Sequence, residues 1–551
     1  MNNALQLDPR DNIAVALTDL AIGDCVNLND ASIKITEAVP AKHKLAMRDF
    51  AVDDIAIQYG VTVGKITQAV AKGGRLTQGN LVHLADHFSA DQHRASGESW
   101  PAPDISAWQD RSFDGFHRSD GSVGTANHWL VVPLVFCENR NIEVMREAFD
   151  KTLGYARADH YENFAKKLVE LHRSGAKRET LLSTEMDSSS TTQAAPVFPN
   201  IDGVQFLTHG LGCGGTRNDA QTLCGLLAGY ITHPNVAGAT VLSLGCQHAQ
   251  VQTLQEELDK RAAQLDKPLL IFEQQQWPSE QAMLSAAMRE TFAGLVEANQ
   301  IERQPAPLSK LTLGVECGGS DGFSGISANP LIGQVSDLLV ALGGSSILSE
   351  FPELCGVEQN LLDRCVDEKT AQRFAHLMSA YASRAAADGA GFDQNPSPGN
   401  IRDGLTTDAI KSAGAAKKGG TSPVVDVLDY PEKVSQSGLN LLCTPGSDVE
   451  STTAMAGAHA NMIVFSTGLG TPTGNPICPV LKIATNSSLA QRMPDIIDLD
   501  AGPIISGETN IEKLAEQLLN LIIEVASGRA QSKAQQLGQK DFLPWKRDVS
   551  L

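Results

Sequence analysis

Residues 314–330 read Gly314-Val-Glu-Cys-Gly-Gly-Ser-Asp-Gly-Phe-Ser-Gly-Ile-Ser-Ala-Asn-Pro330. The apolar run from Leu311 to Val315 predicts a short buried strand that ends at Glu316 and Cys317. A loop carrying Gly318, Gly319, Gly322 and Gly325 follows. Beyond Asn329-Pro330 the apolar period from Leu331 to Leu342 predicts a helix, with proline in its first turn. Strand, glycine-rich loop and helix together put polar groups at the carboxyl edge of a parallel sheet, where such folds bind ligands. A plain turn would explain the glycines. It does not need Glu316, Cys317, Ser320, Asp321 and Ser324 within nine residues.

The same rhythm extends in both directions. Strands are predicted at Val204–Leu207, Gly238–Leu244, Leu269–Phe272, Ser346–Leu348, 438–443, Met462–Phe465 and Val480–Ile483. Helices are predicted at Asp219–Ile231, Val251–Leu265, Gln281–Ala298, 357–387 and Ile511–Ala526. Alternation on this scale means an α/β fold with a doubly wound parallel sheet. The amino-terminal part differs. Ile13–Leu17, Lys42–Ala46 and Ile55–Ile57 are short strand-like runs between turn residues, so residues 1–90 read as a small all-β domain. Residues 91–112 read as a linker, 113–305 as an α/β domain with an insertion near 138–200, and 306–551 as the catalytic α/β domain.

Composition narrows the function. The 551 residues hold 44 Lys+Arg against 64 Asp+Glu, a formal net charge of −20. That balance argues against nucleic acid or an anionic membrane as partner. An anionic substrate would need local help from a metal, arginines or helix N-termini. No run reaches the length of a membrane helix, and the first residues lack the basic start and apolar core of a signal peptide. The expected compartment is cytoplasmic, and the ten cysteines are expected to be reduced thiols.

Other strand ends repeat the pattern. His209-Gly-Leu-Gly-Cys-Gly-Gly215 matches a dinucleotide fingerprint, but after Asp219 the next acid is Glu256, so the ribose partner is missing. Strand ends at Gly245-Cys246 and Glu316-Cys317 suggest that Cys213, Cys246 and Cys317 converge with His209. Thiolate and imidazole suit iron or zinc, and Glu316, Asp321 and Glu350 would add oxygen ligands. No C-x-x-C pair is present, which disfavours a zinc ribbon. Loops at Asn395–Asn400, Thr444–Asp448 and Ser466–Gly474 offer the hydroxyls and amides that a polyhydroxylated acid would need.

Glu316-Cys-Gly-Gly-Ser-Asp-Gly322, Ala328-Asn-Pro330, Asn395-Pro-Ser-Pro-Gly-Asn400, Gly470-Thr-Pro472 and Lys482-Ile-Ala-Thr-Asn486 resemble the altronate/galactarate dehydratase family. Asp11–Leu17, His43-Lys44 and Tyr59-Gly60 resemble that family's small SAF domain, a β-clip type module. The resemblance implies dehydration of a sugar acid, D-altronate foremost, to a 2-keto-3-deoxy acid. It also implies ferrous iron as cofactor, with manganese or another divalent ion as alternative. Implied catalytic residues are His43, His209 and Asp321. Implied metal ligands are Cys213, Cys246, Glu316, Cys317 and Glu350. Lys44, Asn127, Ser320, Ser324, Asn329, Asn400 and Thr471 are the implied substrate contacts. A small sugar acid is the expected partner, and a homo-oligomer is compatible. The family usually has arginine where Ala126 and Leu469 stand, and often cysteine where Ala415 stands. Those departures keep open another acid (a hexarate dehydratase or a sulfo-lyase) or a non-catalytic sugar-acid binding protein.

Overall fold

The computed structural model describes residues 3–28, 31–90, 100–156, 160–186, 195–262 and 265–550. The amino-terminal strands Ala4–Leu5, Ile13–Ala16, Lys44–Ala46 and Arg75–Leu76 form one antiparallel sheet. Ile55–Gln58, Val61–Ile66 and Leu81–Val82 form a second. Strand Ile13–Ala16 is buried on both faces, because this small domain has one sheet folded against its neighbours and lies on the C-terminal domain.

Two parallel sheets follow where the sequence reading has one rhythm. The first has the order Gly203–Phe206, His128–Pro133, Val236–Ser243, Leu269–Glu273. The insertion before Gly203 is helical, with Asn139–Thr152, His160–Arg173 and Arg178–Leu182. Part of the polar loop expected at 183–200 lies outside the described residues. So does most of the first half of the linker expected at 91–112, whereas Trp108 in its second half is buried in the C-terminal core.

The second sheet has seven parallel strands, in the order Val424–Leu428, Gly438–Leu442, Ser345–Leu348, Thr312–Cys317, Met462–Thr467, Val480–Ala484, Leu499–Asp500. From Thr312–Cys317 the chain winds to one side, then crosses back to Met462–Thr467 on the other. That reversal is the switch point at which such sheets open a crevice. The long helix expected at 357–387 is two, Glu358–Asp363 and Glu368–Ala387. They are parted at Cys365, whose backbone bridges to Val424.

Both faces of the large sheet are covered, and alternate residues divide between two cores. Met462 and Val464 join helices Ala328–Ala341 and Ile511–Ala526. Ile463 and Phe465 join helix Asp448–Gly457 and, across the domain boundary, helix Arg217–Thr232 of the first α/β unit. The two helices cross closely. A Cβ on Gly229 would stand 2.2 Å from the Gly457 carbonyl oxygen, so only glycine permits this contact. Each buried aliphatic in this shared core contributes about 1.5–3 kcal/mol, which fixes the two sheets as one block.

Candidate active site

Glu316 ends the central strand of the large sheet and has no exposed surface. Its Oε2 accepts a 2.5 Å hydrogen bond from Ser451, which is itself 2.8 Å from Ser349. Its Oε1 is buried without a partner. Glu350 follows the neighbouring strand in a left-handed backbone conformation, φ 64°. That conformation costs a non-glycine residue about 1–3 kcal/mol and turns its carboxylate inward. Glu350 Oε2 accepts from Lys418 at 2.9 Å, and its Oε1 is again buried without a partner. Asp448, first residue of helix Asp448–Gly457, completes a trio whose ligand oxygens lie within 4.8 Å of one another. Asp448 is less buried than the other two and lies over Gly318, where a Cβ would stand 2.0 Å from its Oδ2.

A second group shares Glu350. Cys317, Glu350 and Glu353 also have their donor atoms within 4.8 Å, but here lysines are already present. Lys418 donates to Cys317 Sγ at 2.8 Å as well as to Glu350. Lys411 donates to Glu353 at 2.6 Å and to Asn395 at 2.9 Å. The four carboxylates Glu316, Glu350, Glu353 and Asp448 face two ammonium groups, a deficit of two positive charges.

The protonation pattern follows from that deficit. Burial, then the neighbouring Glu350, raises the Glu316 carboxyl far above its usual range. Burial, then Glu353, raises Glu350. Burial and the charges of Glu350 and Glu353 push Asp448 up to about 7. Burial also opposes ionisation of Glu353, yet Lys411 and Lys418 bring it below the ordinary carboxylate range. Burial drives the Cys317 thiol up to about 12. With Lys418 as its one ammonium partner among the described residues, the trio must therefore hold protons or a divalent cation. Two orphaned, inward-facing carboxylate oxygens suit a hard or borderline cation.

Asp321 lies one loop away and is saturated. Its carboxylate accepts from the Phe323 amide, Ser324, Thr485 and Asn486, and pairs with Lys42 at 3.0 Å. Ser324 is occupied by Asp321, and Asn329 by Gly414 and Ser466. Asn400 caps its own helix and donates to the Ser320 carbonyl at 2.7 Å, so it positions Ser320. Ser320 Oγ is buried without a partner. Thr471 and Leu469 stand over Gly319 on a loop gathered by Thr467.

The remaining candidates from the sequence are elsewhere or engaged. His43 contacts the Arg402 carbonyl through Nε2 and Arg75 through Nδ1, each at 3.1 Å. Burial and then Arg75 lower its pKa. Lys44 is buried and directed at the Gly404 and Lys42 carbonyls, at 2.5 and 3.2 Å. It is Lys42, with φ 75°, that reaches Asp321. His209 donates from Nε2 to the Pro133 carbonyl and accepts the Leu211 amide at Nδ1, and burial lowers it to about 4. It lies with Cys213 and Cys246 at the edge of the smaller parallel sheet, where both thiols are exposed. The convergence of those three with Cys317 does not form, because two sheets divide them. No hydrogen bond among the described residues joins them to the carboxylate trio. Asn127 is fully engaged by Arg118, Asp202, Asn200 and Ala298 at the amino end of that smaller sheet. Ala126 is buried beside it.

Lys42, Lys411 and Ser451 were not singled out from sequence, and Glu353 and Asp448 were marked only as ends of candidate loops, without a role. For Lys411 no signal was present, since its helix Asp408–Ala415 ends before Lys418, which sits in the turn that follows. A cleft of about 610 Å³ between the small and C-terminal domains is lined by Tyr59, Asp337, Arg364 and Lys417 among others. None of the trio lines it.

Family models cover nearly all of the chain. The altronate/galactarate dehydratase SAF domain matches residues 2–84. The second domain of D-galactarate dehydratase/altronate hydrolase matches 115–299, and the D-galactarate/altronate dehydratase C-terminal domain matches 308–550. The altronate dehydratase of Escherichia coli (strain K12) is 33% identical over 533 residues, 95% of each chain. The chain belongs to the altronate/galactarate dehydratase family. The altronate dehydratase of Bacillus subtilis (strain 168) is 30% identical, covering 96% of each chain. The galactarate dehydratase (L-threo-forming) of Escherichia coli (strain K12) is 28% identical, over 97% of this chain and 94% of that one. This family member is therefore an enzyme of the lyase class. Its small domain is the SAF module. Among the described residues no helix is long and apolar enough to cross a membrane.

Proposed function

We propose that this enzyme dehydrates a sugar acid, D-altronate foremost, to 2-keto-3-deoxy-D-gluconate and water, with a divalent cation in the carboxylate trio. The observation that carries this reading is the charge deficit at Glu316, Glu350 and Asp448, with two buried oxygens lacking donors. Glu316 and Glu350 would hold the cation, and ferrous iron or manganese fits their oxygen donors. Bound there, such an ion would polarise the substrate carboxylate and its neighbouring hydroxyl.

The reaction removes a proton from C2 and hydroxide from C3, and the resulting enol tautomerises to the ketone. Asp448 is the least buried of the trio and sits at the open side of the loop over Gly318. It is the residue assigned to take the C2 proton and pass it to the departing hydroxyl, which leaves as water. Lys418 and Lys411 keep Glu350 and Glu353 in place. Ser320 Oγ and Thr471 supply hydroxyl partners for the polyol. Neither histidine has a free ring nitrogen, so proton transfer is not assigned to them.

Full-length protein incubated anaerobically with ferrous iron and D-altronate should form the 2-keto-3-deoxy acid. Chelation and Glu316→Gln should abolish it. Asp448→Asn should still bind iron but turn over at least about 100-fold more slowly. Undiminished turnover after chelation would exclude the cation. Bound iron with no product from any acid in a panel of aldonates and hexarates would favour a sugar-acid binding protein. A second reading keeps the reaction and changes the acid, because Leu469 puts an apolar side chain over Gly319.

A further inference from the structure

A separate constellation lies where the SAF module meets the C-terminal domain. His83 follows the module's last strand, Leu81–Val82. Cys355 follows the short helix Phe351–Leu354, and Asp408 begins helix Asp408–Ala415. Their donor atoms all lie within 4.8 Å of one another, with His83 Nε2 3.9 Å from Cys355 Sγ. Gly356 brings the segments together, since a Cβ there would touch both Ala85 and Ala409 at 3.3 Å.

We propose that His83, Cys355 and Asp408 bind one divalent transition-metal ion of the zinc class, which clamps the SAF module onto the C-terminal domain. Imidazole, thiolate and carboxylate are the donors such an ion takes in a three-residue site with one open position. The second observation is at Asp408, which is 1% exposed and whose Oδ2 has no partner. Its Oδ1 has a 3.3 Å contact from Ser412, and the Cys355 thiol, the proton that an ion would displace, bonds to the same carboxylate. Among the described residues no cation pairs directly with this group: Glu358 and Asp393 also act on Cys355, and Lys411, which acts on Asp408 from a distance, is bonded to Glu353. His83 and Cys355 are partly exposed, so an ion can reach them. An ion on Nε2 places the ring proton on Nδ1. The Ala409 amide contact there is 3.4 Å, long enough to be released by a small turn of the ring. Loading displaces the thiol proton to solvent, and no redox partner is involved. The group shares no residue with the carboxylate trio.

The test uses full-length protein stripped by chelation and titrated with Zn²⁺ and, in parallel, Co²⁺. Co²⁺ should give near-ultraviolet thiolate-to-metal absorption that Cys355→Ser removes and Glu316→Gln leaves intact. In the Glu316→Gln background, which removes the other proposed cation site, Zn²⁺ should raise the Tm by several degrees through binding to the folded state alone. In that background His83→Asn and Asp408→Asn should weaken zinc binding about tenfold or more and abolish that shift. His83→Asn, on a partly exposed side chain, keeps the test open if Cys355→Ser fails to fold. Identical cobalt spectra and zinc shifts with and without these substitutions would overturn the site. Iron-dependent turnover of the His83→Asn variant separates it from the proposed reaction.

Discussion

At the scale of single residues, this molecule sets buried ionisable side chains against backbone carbonyls. Lys44 is the clearest case. Burial lowers its ammonium to about 7, with Asp321 opposing. The native state is thus neutral there while the unfolded chain keeps its proton up to about 10.5. The unfolded state binds more protons between those values, so stability rises with pH from about 7 to 10. The full effect is on the order of 5 kcal/mol. Lys44→Met should flatten the rise, as read from urea denaturation at pH 7 and 9.5. Parallel pH slopes in the two proteins would refute it. The sequence made Glu316, Cys317 and Asp321 visible because they share one loop. It could not separate Lys42 from Lys44, because that depends on a left-handed backbone at Lys42 which no periodicity reports.

At the scale of elements, strands and helices were legible wherever apolar runs were long. The strand ends carrying Glu316 and Glu350 follow directly from that pattern. The expected convergence of Cys213, Cys246 and His209 with Cys317 failed, because periodicity identifies a strand but not the sheet it joins. Helix Asp408–Ala415 and the following turn also escaped notice, although they carry Lys411 and Lys418 to the site. Two loops make sharper predictions. Gly318→Ala would place a Cβ 2.0 Å from Asp448 Oδ2 and 2.5 Å from the Phe465 ring. Displacement of Asp448 should lower kcat about tenfold or more while circular dichroism stays native. Wild-type turnover would mean that Asp448 moves freely and has no part in the chemistry. Leu469→Arg restores the side chain expected from the resemblance over Gly319. If the sugar acid's carboxylate lies there, KM for D-altronate should fall about tenfold, the scale of one charge-assisted contact. An unchanged KM would place the carboxylate elsewhere.

At the scale of the molecule, the SAF module is tied to the C-terminal domain by a narrow set of polar contacts. Lys42 is wedged between Gly322 and Gly404; a Cβ on either would come within 2.4 Å of the Lys42 carbonyl oxygen. Its Nζ reaches Asp321 at 3.0 Å and Asp403 at 3.2 Å. Lys44 and His43 contact the carbonyls of Gly404 and Arg402, and Thr407 donates to the Val63 carbonyl. The same Arg402–Gly404 segment holds the Asp321 loop, because the Gly322 amide donates to the Asp403 carbonyl at 2.7 Å. Module position and the geometry of the Asp321 loop are therefore one mechanical unit. Removing the Lys42 charge leaves Asp321 buried and uncompensated. Lys42→Met should therefore cost about 3 kcal/mol, the usual penalty for breaking a buried pair from one side. Asp321→Asn in the same chain should recover most of that loss, because the amide needs no counter-charge. A double-mutant cycle by urea denaturation measures this coupling. If the two losses simply add, Lys42 and Asp321 are independent, and the SAF module is held by its apolar contacts with Leu405, Ala409 and Ile410 instead.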